Sequence, residues 1–260
     1  MVAQPETAEQ LDLEVLAAQP SGALAGRDAH GKVFIAGPID PCGQCEVCRR
    51  GGAAVCPSAK PRGELGARVR VSSRWAVELA DGLELPLPAA AAVAGDVATA
   101  YTLYARTGLG PRDPVAITGA TAITRFLVDV LRAKGLVPIV LADDPSWSAH
   151  LQSRGAVPTT PAGVGDALVA QGLGARPLRV IATGEPELAY ALAGPRATLT
   201  LYGASGHIPA ELAAREVTII GVAGPHPDLI TEAAALCARG EIDLAGGVGD
   251  GPMQARVIAR

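Results

Sequence analysis

Clustered positive charge, aromatic residues and long apolar runs are all scarce in this chain. Lysine and arginine number 22 against 26 aspartate and glutamate residues, which gives a net charge of −4. Because binding to a phosphate backbone needs a basic stripe, this balance excludes a nucleic-acid partner. The richest apolar run, residues 85–94, is too short to cross a bilayer and contains two prolines, so it predicts a buried segment and no membrane contact.

The scarcity of aromatics also bears on the fold. Only 3% of the 260 residues are aromatic while 49% are hydrophobic, mostly small or aliphatic. Short side chains of this kind suit the tight packing of helices against a sheet in an α/β protein. The length exceeds one average domain, so we expect two lobes in a cytoplasmic protein.

Cysteine is absent from most of the sequence, because four of the five fall in one loop. The loop reads PCGQCEVCRRGGAAVC and contains Cys42, Cys45, Cys48 and Cys56. This spacing lets one segment wrap four thiolates tetrahedrally around zinc, with no open position for water or substrate, as in structural sites. Two disulfides are the alternative, but they need an oxidising compartment, and the N-terminal residues do not resemble an export signal.

The loop, with Pro41 before it and Gly43 after its first cysteine, resembles the structural-zinc lobe of the medium-chain dehydrogenase/reductases, the zinc alcohol dehydrogenase family. The resemblance continues through GKVFIAGPIDPCGQCEVC, similar to the strand entering that lobe, and GARVRVSSRWAVELADGLELPLPAAAAVAGDVATAY, similar to the strands and helix after it. Within the family, the dehydrogenases of cyclic hydroxyacyl-CoA substrates are the most similar.

This resemblance implies an α/β protein with a truncated GroES-like β lobe, which carries the structural zinc loop, and a Rossmann domain with a doubly wound parallel sheet. It assigns residues 1–96 and 231–260 to the shortened catalytic lobe, with the zinc loop at 41–57, and residues 97–230 to the Rossmann domain. Relatives pair through their last sheet strands, so the segments TLTLYGASG and EVTIIGV imply a homodimer.

The second half of the sequence alternates between strand and helix patterns. A buried strand at 115–118, a helix at 122–134 ended by Gly135, and a second buried strand at 138–142 form one βαβ unit. Four more strand patterns follow, which gives six strands in total and completes a doubly wound sheet. An alanine-rich helix, 88–105, is expected to lead into this lobe.

The flanking segments give weaker patterns. Residues 1–10 are polar and predict a frayed tail, 11–16 an edge strand, and 67–72 a half-exposed strand. Residues 228–239 predict a helix that is capped by Asp228, ended by Gly240 and carries Cys237 as a small core residue. The closing ARVIAR predicts a strand that returns to the first lobe.

A dinucleotide site requires a tight turn between the first strand and its helix. The usual three glycines correspond here to Gly119, Thr121 and Thr124, so two of them are replaced. A threonine at the second position intrudes on the approach of the pyrophosphate or donates a hydrogen bond to it. The predicted cofactor-binding residues at the strand ends are Gly119, Thr121, Ala122, Ile123, Asp143, Thr183 and Gly203.

Asp143 and Asp144 follow the second strand of this unit, where an acidic residue grips the ribose hydroxyls of NAD. A carboxylate repels the 2′-phosphate of NADP, so NAD(H) is favoured over NADP(H). The alternative is that both residues only end the strand and cap the helix that begins after them.

The family resemblance also locates what is missing. The catalytic zinc of alcohol dehydrogenases takes a cysteine and a His-Glu pair before the structural loop, and neither element is present there. The third ligand position falls at Gly95 or Asp96, so we expect no catalytic zinc. Asp96, Thr99 and Tyr101 are the candidate proton donors, although helix packing explains Tyr101 equally well.

Three functions are compatible with these features. The first is an NAD(P)H-dependent oxidoreductase that reduces an activated double bond, such as an enone or an enoyl thioester, without catalytic zinc; its substrate is a small molecule, and an acyl-CoA is one candidate. The second is a non-redox relative that serves as a binding partner or catalyses another reaction. The third, a zinc alcohol dehydrogenase, is disfavoured by the missing ligands.

Overall fold

The computed structural model of the chain describes residues 9–62, 65–79, 85–203, 207–249 and 254–259. Most of the expected N-terminal tail, residues 1–8, lies outside these ranges. The contacts divide the chain into two compact units. The first comprises residues 1–99, 225–240 and 244–260, and the second comprises 100–224 and 241–243.

Strands predominate in the first part of the chain, and strands alternate with helices in the second. The strands are β1 (Gln10–Ala18), β2 (Leu24–Arg27), β3 (Val33–Ala36), β4 (Ile39–Asp40), β5 (Lys60–Pro61), β6 (Arg68–Ser72), β7 (Ala76–Glu78), β8 (Val115–Thr118), β9 (Ile139–Leu141), β10 (Val157–Thr159), β11 (Arg179–Ala182), β12 (Thr198–Tyr202), β13 (Thr218–Val222) and β14 (Ile258–Ala259). The α-helices are α1 (Glu46–Arg49), α2 (Leu87–Ala92), α3 (Ala98–Thr107), α4 (Ala122–Ala133), α5 (Pro145–Ser153), α6 (Val164–Ala170), α7 (Pro186–Leu192), α8 (Glu211–Ala214) and α9 (Ile230–Ala238).

The first unit is built on an antiparallel sheet in the order β14-β1-β2-β3-β7, with β6 also paired to β1. The prediction of an edge strand at 11–16 is wrong, because β1 has β2 on one side and β6 and β14 on the other. Pairing of Ala17 and Ala18 with β14 confirms that the closing segment returns to this lobe. The alternation in β6 is confirmed: Val71 is buried, whereas Arg68 and Arg70 are exposed.

The helix expected at 88–105 is a longer helical run that contains an irregularity. α2 leads into a π-helical turn, Val93–Val97, and then into α3. Single π turns are rare and are often found at functional sites. The turn contains Asp96, one of the candidate proton donors.

The second unit has a parallel sheet of six strands in the order β10-β9-β8-β11-β12-β13. This confirms the six-strand doubly wound prediction. The strand order reverses direction between β8 and β11, and ligands of such sheets bind at the carboxyl ends of the strands beside this reversal. β8 and β9 are buried along their whole length, as expected for a sheet covered on both faces.

The last long helix differs at its start from the prediction. A 3₁₀ turn, Pro227–Leu229, precedes α9, so Asp228 lies inside this turn and does not cap the helix. The end is as expected, with Gly240 in the left-handed region just beyond the helix. Cys237 is buried in the core, which confirms its prediction.

Candidate metal centre and cofactor site

The cysteine loop brings its four sulfur atoms together. The Sγ atoms of Cys42, Cys45, Cys48 and Cys56 all lie within 4.8 Å of one another, and all four thiols are free of disulfides. The Sγ of Cys56 lies 3.5 Å from that of Cys42 and 3.8 Å from that of Cys45. Zinc–sulfur bonds of about 2.3 Å in a tetrahedron separate the sulfurs by about 3.8 Å. The cluster therefore fits a four-thiolate structural zinc.

The surroundings make the thiols unequal in acidity. Backbone N–H groups of Gln44 and Cys45 donate to Cys42 and lower the pKa of its thiol to about 6. Burial raises the pKa of Cys48 to about 12. Since a metal binds thiolates, a zinc ion would hold all four in the deprotonated form.

Side chains from outside the loop hold its backbone carbonyls in place. The three donors and their acceptors are Trp75 Nε1 to the carbonyl of Pro41 at 2.8 Å, Arg74 Nη1 to that of Gly43 at 3.1 Å, and His226 Nε2 to that of Gly51 at 2.6 Å. Because a carbonyl only accepts, His226 carries a proton on Nε2. The loop is thus fixed to the sheet and to the segment before α9.

A buried arginine closes the neck of the loop, where β4 pairs with β5. The side chain of Arg62 is 3% exposed, donates to the carbonyl of Gly37 and lies 3.6 Å from a carboxylate oxygen of Asp40. Burial lowers the pKa of the guanidinium to about 10, and the charge of Asp40 opposes this shift. The neck is therefore fixed by an ion pair that is largely shielded from water.

The carboxyl ends of the parallel strands form the candidate cofactor edge. Gly119 follows β8, Asp143 lies just after β9, Thr183 follows β11 and Gly203 follows β12. A cavity of about 380 Å³ opens at the ends of β11 and β12 and is lined in part by Thr183 and Gly203. Four of the seven predicted cofactor-binding residues thus lie on one edge of the sheet, and the other three, at 121–123, begin α4.

Gly119 is required by the turn itself. Its φ is +97°, and a Cβ atom there would lie 2.6 Å from the backbone nitrogen of Gly184. The first glycine of the fingerprint therefore serves the left-handed turn and the close approach of two strand ends.

Threonine hydroxyls fill the two positions where the fingerprint has glycine. Thr121 is the N-cap of α4, and its Oγ1 accepts from the N–H of Thr124 at 3.2 Å. The hydroxyl of Thr124 is fully buried, 2.5 Å from the carbonyl of Gly119 and 2.5 Å from the hydroxyl of Thr183. The Oγ1 atom of Thr183 also lies 3.1 Å from the carbonyl oxygen of Thr118. The hydroxyl of Thr183 is thus hydrogen-bonded inside the protein, although the residue lines the cavity.

The two acidic residues after β9 have different roles. Asp144 is the N-cap of α5, accepting from the N–H groups of Ser146 and Trp147, and these bonds lower the pKa of its carboxyl. The cap alternative is therefore correct for Asp144. Asp143 is exposed at the sheet edge and makes no hydrogen bond or ion pair with the described residues, so it is available to a ligand.

Asp96 has a partner that the sequence did not predict. Its carboxylate accepts from Nε2 of Gln19 at 2.8 Å, and burial raises its pKa. Gln19 is itself buried, and a Cβ at Gly95 would overlap its carboxamide, so glycine is required there. The pair is separated by 77 residues, and no local pattern reveals it.

The other two donor candidates are occupied by packing. The hydroxyl of Thr99 is buried and donates to the carbonyl of Gly95 at 2.8 Å, a bond typical of threonine inside a helix. Tyr101 lies against Tyr104 with 5.8 Å between ring centroids, and Lys134 lies over both rings. Helix packing thus accounts for these two positions.

A network of four charges in the second unit was also not predicted. Asp129 on α4 accepts from Nε of Arg154 at 2.6 Å, and Asp243 accepts from Arg154 at 2.8 Å and from Arg125 at 2.7 Å. The N–H of Asp243 donates to Asp129. Arg125 and Asp129 are four residues apart on one helix face, the only local signal of this network.

The histidines belong to no metal-binding group among the residues that the structure describes. His150 stacks on Trp147 with 5.9 Å between ring centroids, and burial together with nearby arginines lowers its pKa. Within the described ranges, the cysteine cluster is the single group of His, Cys, Asp and Glu side chains suited to a metal. Among the described residues, no helix is both long and apolar enough to cross a membrane.

No protein-family model and no curated protein sequence matches the chain. Solved structures do. An alcohol dehydrogenase from Thermus sp. ATN1 aligns with a TM-score of 0.79 and 17% identity over 96% of this chain and 88% of its own. A protein described as a short chain alcohol dehydrogenase from E. coli CFT073, complexed with NADH, aligns with a TM-score of 0.77 and 16% identity over 92% and 82% of the two chains.

A putative zinc-binding dehydrogenase from Sinorhizobium meliloti 1021, bound to NADP, aligns with a TM-score of 0.74 and 20% identity over 94% of this chain and 85% of its own. At such identities the likeness establishes the fold. The antiparallel lobe, the six-stranded parallel sheet and the four-cysteine cluster were all expected from the family resemblance. The chain therefore has the fold of the medium-chain alcohol dehydrogenases, a GroES-like lobe and a Rossmann sheet.

Proposed function

We propose that the protein is an oxidoreductase that uses NAD(P)H, has no catalytic zinc, and reduces an activated double bond. The observation that carries the proposal is the cavity at the ends of β11 and β12, on the same sheet edge as the start of α4. This edge is where doubly wound sheets bind their ligands. Two of the similar structures are described with bound NADH or NADP, which supports the same use of this edge.

The residues present would hold a dinucleotide as follows. The backbone N–H groups of Ala122 and Ile123 at the start of α4 would bind the pyrophosphate. Asp143 would accept from the adenosine ribose hydroxyls and disfavour a 2′-phosphate, so NAD(H) is the expected cofactor. Gly203 and Thr183 would border the nicotinamide in the cavity. When bound, the reduced nicotinamide supplies the hydride.

Reduction of a double bond consumes one hydride and one proton. The proton requires a donor, and among the three candidates Asp96 is the best, because burial raises the pKa of its carboxyl and so favours the protonated form. The hydroxyl of Thr99 is already donated to a carbonyl, and Tyr101 packs on a neighbouring ring. Gln19 would orient the carboxyl group of Asp96.

The substrate class follows from the metal chemistry. In zinc alcohol dehydrogenases a metal with an open coordination position acts as a Lewis acid on the alcohol oxygen. The four-cysteine cluster is closed, and His30, between β1 and the loop, is followed by glycine and makes no His-Glu pair. An enone or enoyl thioester carries its own electron sink, so a small molecule of this class, with an acyl-CoA as one candidate, suits this chain.

The zinc would have a structural role. It would hold the loop whose carbonyls are bound by Trp75, Arg74 and His226. Four thiolates remain reduced in the cytoplasm, which is the compartment we propose. Pairing of two copies along β13, the last strand of the parallel sheet, would cover its half-exposed Ile219 and Ile220 and give a homodimer. A monomer in sedimentation at micromolar concentration would contradict this.

A non-redox relative is the second candidate. It is favoured by the threonines at the fingerprint positions, because Thr121 caps α4 and the hydroxyl of Thr124 is bonded inside the protein to Gly119 and Thr183. A zinc alcohol dehydrogenase is the third candidate, and the names of the similar structures favour it. It lacks support from any second metal cluster in the part of the chain that the structure describes.

One screen separates the three. The purified protein is tested with NADH and NADPH against enones and enoyl thioesters, and with NAD and NADP against primary and secondary alcohols. We expect double-bond reduction that survives chelators too weak to remove zinc from four thiolates. Turnover of alcohols would refute the proposal, and absence of both turnover and cofactor binding would favour the non-redox candidate.

A further inference from the structure

We propose that the side chain of Thr121 occupies a backbone N–H at the start of α4 that a phosphate would otherwise use. This residue therefore limits how tightly the chain binds a dinucleotide. The inference rests on the proposed function, because it assumes that a dinucleotide binds at the start of α4. It concerns a residue that replaces glycine and whose side chain is already engaged with the helix. The start of α4 is therefore already capped by a side chain of the protein before a ligand binds.

Thr121 occupies one of the donors at the start of the helix. An α-helix begins with N–H groups that have no partner inside the helix, and these bind a phosphate oxygen. In α4, the side chain of Thr121 accepts from the N–H of Thr124, the third of these groups. The N–H groups of Ala122 and Ile123 are not bound by this side chain. A pyrophosphate consequently finds one donor fewer than it would find beside a glycine.

The hydroxyl protons around Thr121 are directed into the protein. The hydroxyl of Thr124 donates to the carbonyl of Gly119, so in its 2.5 Å contact with the hydroxyl of Thr183 the proton comes from Thr183. The hydroxyl oxygen of Thr124 still has a lone pair, and Thr121 Oγ1 lies 3.2 Å from it. Thr121 therefore donates inward while it accepts the backbone N–H. Its hydroxyl is used twice within the protein, and a phosphate would have to break this arrangement.

Thr121 also obstructs the turn sterically. Glycine at the second fingerprint position lets the backbone approach the pyrophosphate closely. Thr121 is half-buried and places a branched Cβ at the same point, in extended backbone with φ −131° and ψ 164°. The lost donor and the added methyl group act in the same direction. Both predict weaker binding than a glycine would allow.

Three substitutions of Thr121 separate these effects. Thr121→Gly releases the N–H of Thr124 and removes the Cβ; Thr121→Ala releases the N–H and retains the Cβ; Thr121→Ser retains the hydroxyl cap. Loss of an N-cap to glycine costs helix stability only slightly, so the first variant should fold. Thr107→Ala is a matched control, because it removes a buried threonine hydroxyl in α3 that bonds to Leu103 and Thr200.

Binding of NADH to the full-length protein is titrated by nicotinamide fluorescence, with circular dichroism as the check on folding. We expect Thr121→Gly to bind NADH about tenfold tighter than the unchanged protein, since one added bond to a charged group has an effect of this order. Thr121→Ala should lie between the two. Thr121→Ser and the control should match the unchanged protein.

Two outcomes overturn the inference. Equal or weaker NADH binding by folded Thr121→Gly shows that the threonine hydroxyl contributes to binding the phosphate. A gain that is equally large in Thr121→Ser shows that the hydroxyl cap is not the cause. Failure of every variant to bind NADH defeats the proposed function and this inference together, and is distinguished from the other two by the absence of any titration.

Discussion

Removing the carboxylate of Asp129 should destabilise the second unit more than removing an exposed charge from its surface. The side chain of Asp129 is 4% exposed, accepts a hydrogen bond from Nε of Arg154 and lies in ion-pair contact with Nη2 of the same guanidinium, whose side chain is 16% exposed. It also accepts the backbone N–H of Asp243 at 3.2 Å. Because these groups are largely shielded from water, loss of the carboxylate removes one partner from a buried positive charge.

The magnitude follows from this burial. Removal of one partner from a buried ion pair costs about 3–5 kcal/mol in free energy of unfolding. We expect Asp129→Ala to fall near the lower end, because Arg154 retains Asp243 as a partner at 2.8 Å. Asp129→Asn retains the volume and one acceptor, so it should cost less than Asp129→Ala. Removing Asp129 and Arg154 together should cost less than the sum of the two single losses.

Each unit contains one tryptophan, which makes the assay specific. Trp147 lies in α5 of the second unit and is 3% exposed, whereas Trp75 lies in the first. In a Trp75→Phe background, urea unfolding followed by fluorescence reports on the second unit. Glu216→Gln, which removes the charge of a surface partner of Arg196 in the same unit, is the control and should cost at most about 1 kcal/mol. A loss below that value for Asp129→Ala, or additive single losses, would refute the reasoning.

Three further predictions concern the sites. Metal analysis should find one zinc per chain, and two zincs per chain would contradict this. Cys45→Ser should lose the zinc and speed hydrogen exchange around the loop, whereas Cys237→Ser should retain it. Asp143→Ser should reduce the preference for NADH over NADPH, and tighter NADPH binding by the unchanged protein would exclude the role of Asp143. Because burial raises the pKa of Asp96 in the folded protein, stability should fall as pH rises from about 4 through that raised pKa. Asp96→Asn should flatten this dependence in urea unfolding measured from about pH 4 upwards, and an unchanged slope would contradict it.

The parts that were predicted correctly depend on local patterns. The spacing of Cys42, Cys45, Cys48 and Cys56 fits tetrahedral ligation within one short loop, so no distant residue is needed. The parallel strands alternate with helices at short range, and their continuous apolar character reflects burial on both faces. Periodicity and turn residues carry this information in the sequence itself.

The parts that were missed depend on distant partners. Gln19 meets Asp96 across 77 residues, and Asp243 meets Asp129 across 114. β1 alternates like an edge strand, but β6 and β14 pair with it from far along the chain. Alternation reports which face of a strand is buried and says nothing about how many neighbours the strand has.

The hydrogen bonds of Thr124 show how the Rossmann fold is retained although two glycines of the cofactor fingerprint are replaced. The third glycine of the fingerprint allows a helix to pack closely on its strand, and a buried hydroxyl there would destabilise the unit unless it found partners. Thr124 finds them in Gly119 and Thr183, so the strand–helix contact is retained by hydrogen bonds. Loss of this glycine therefore does not count against the Rossmann fold. Thr121 is different, because its neighbour would be the ligand. We therefore expect substitution of Thr121 to change cofactor binding and to leave the fold intact.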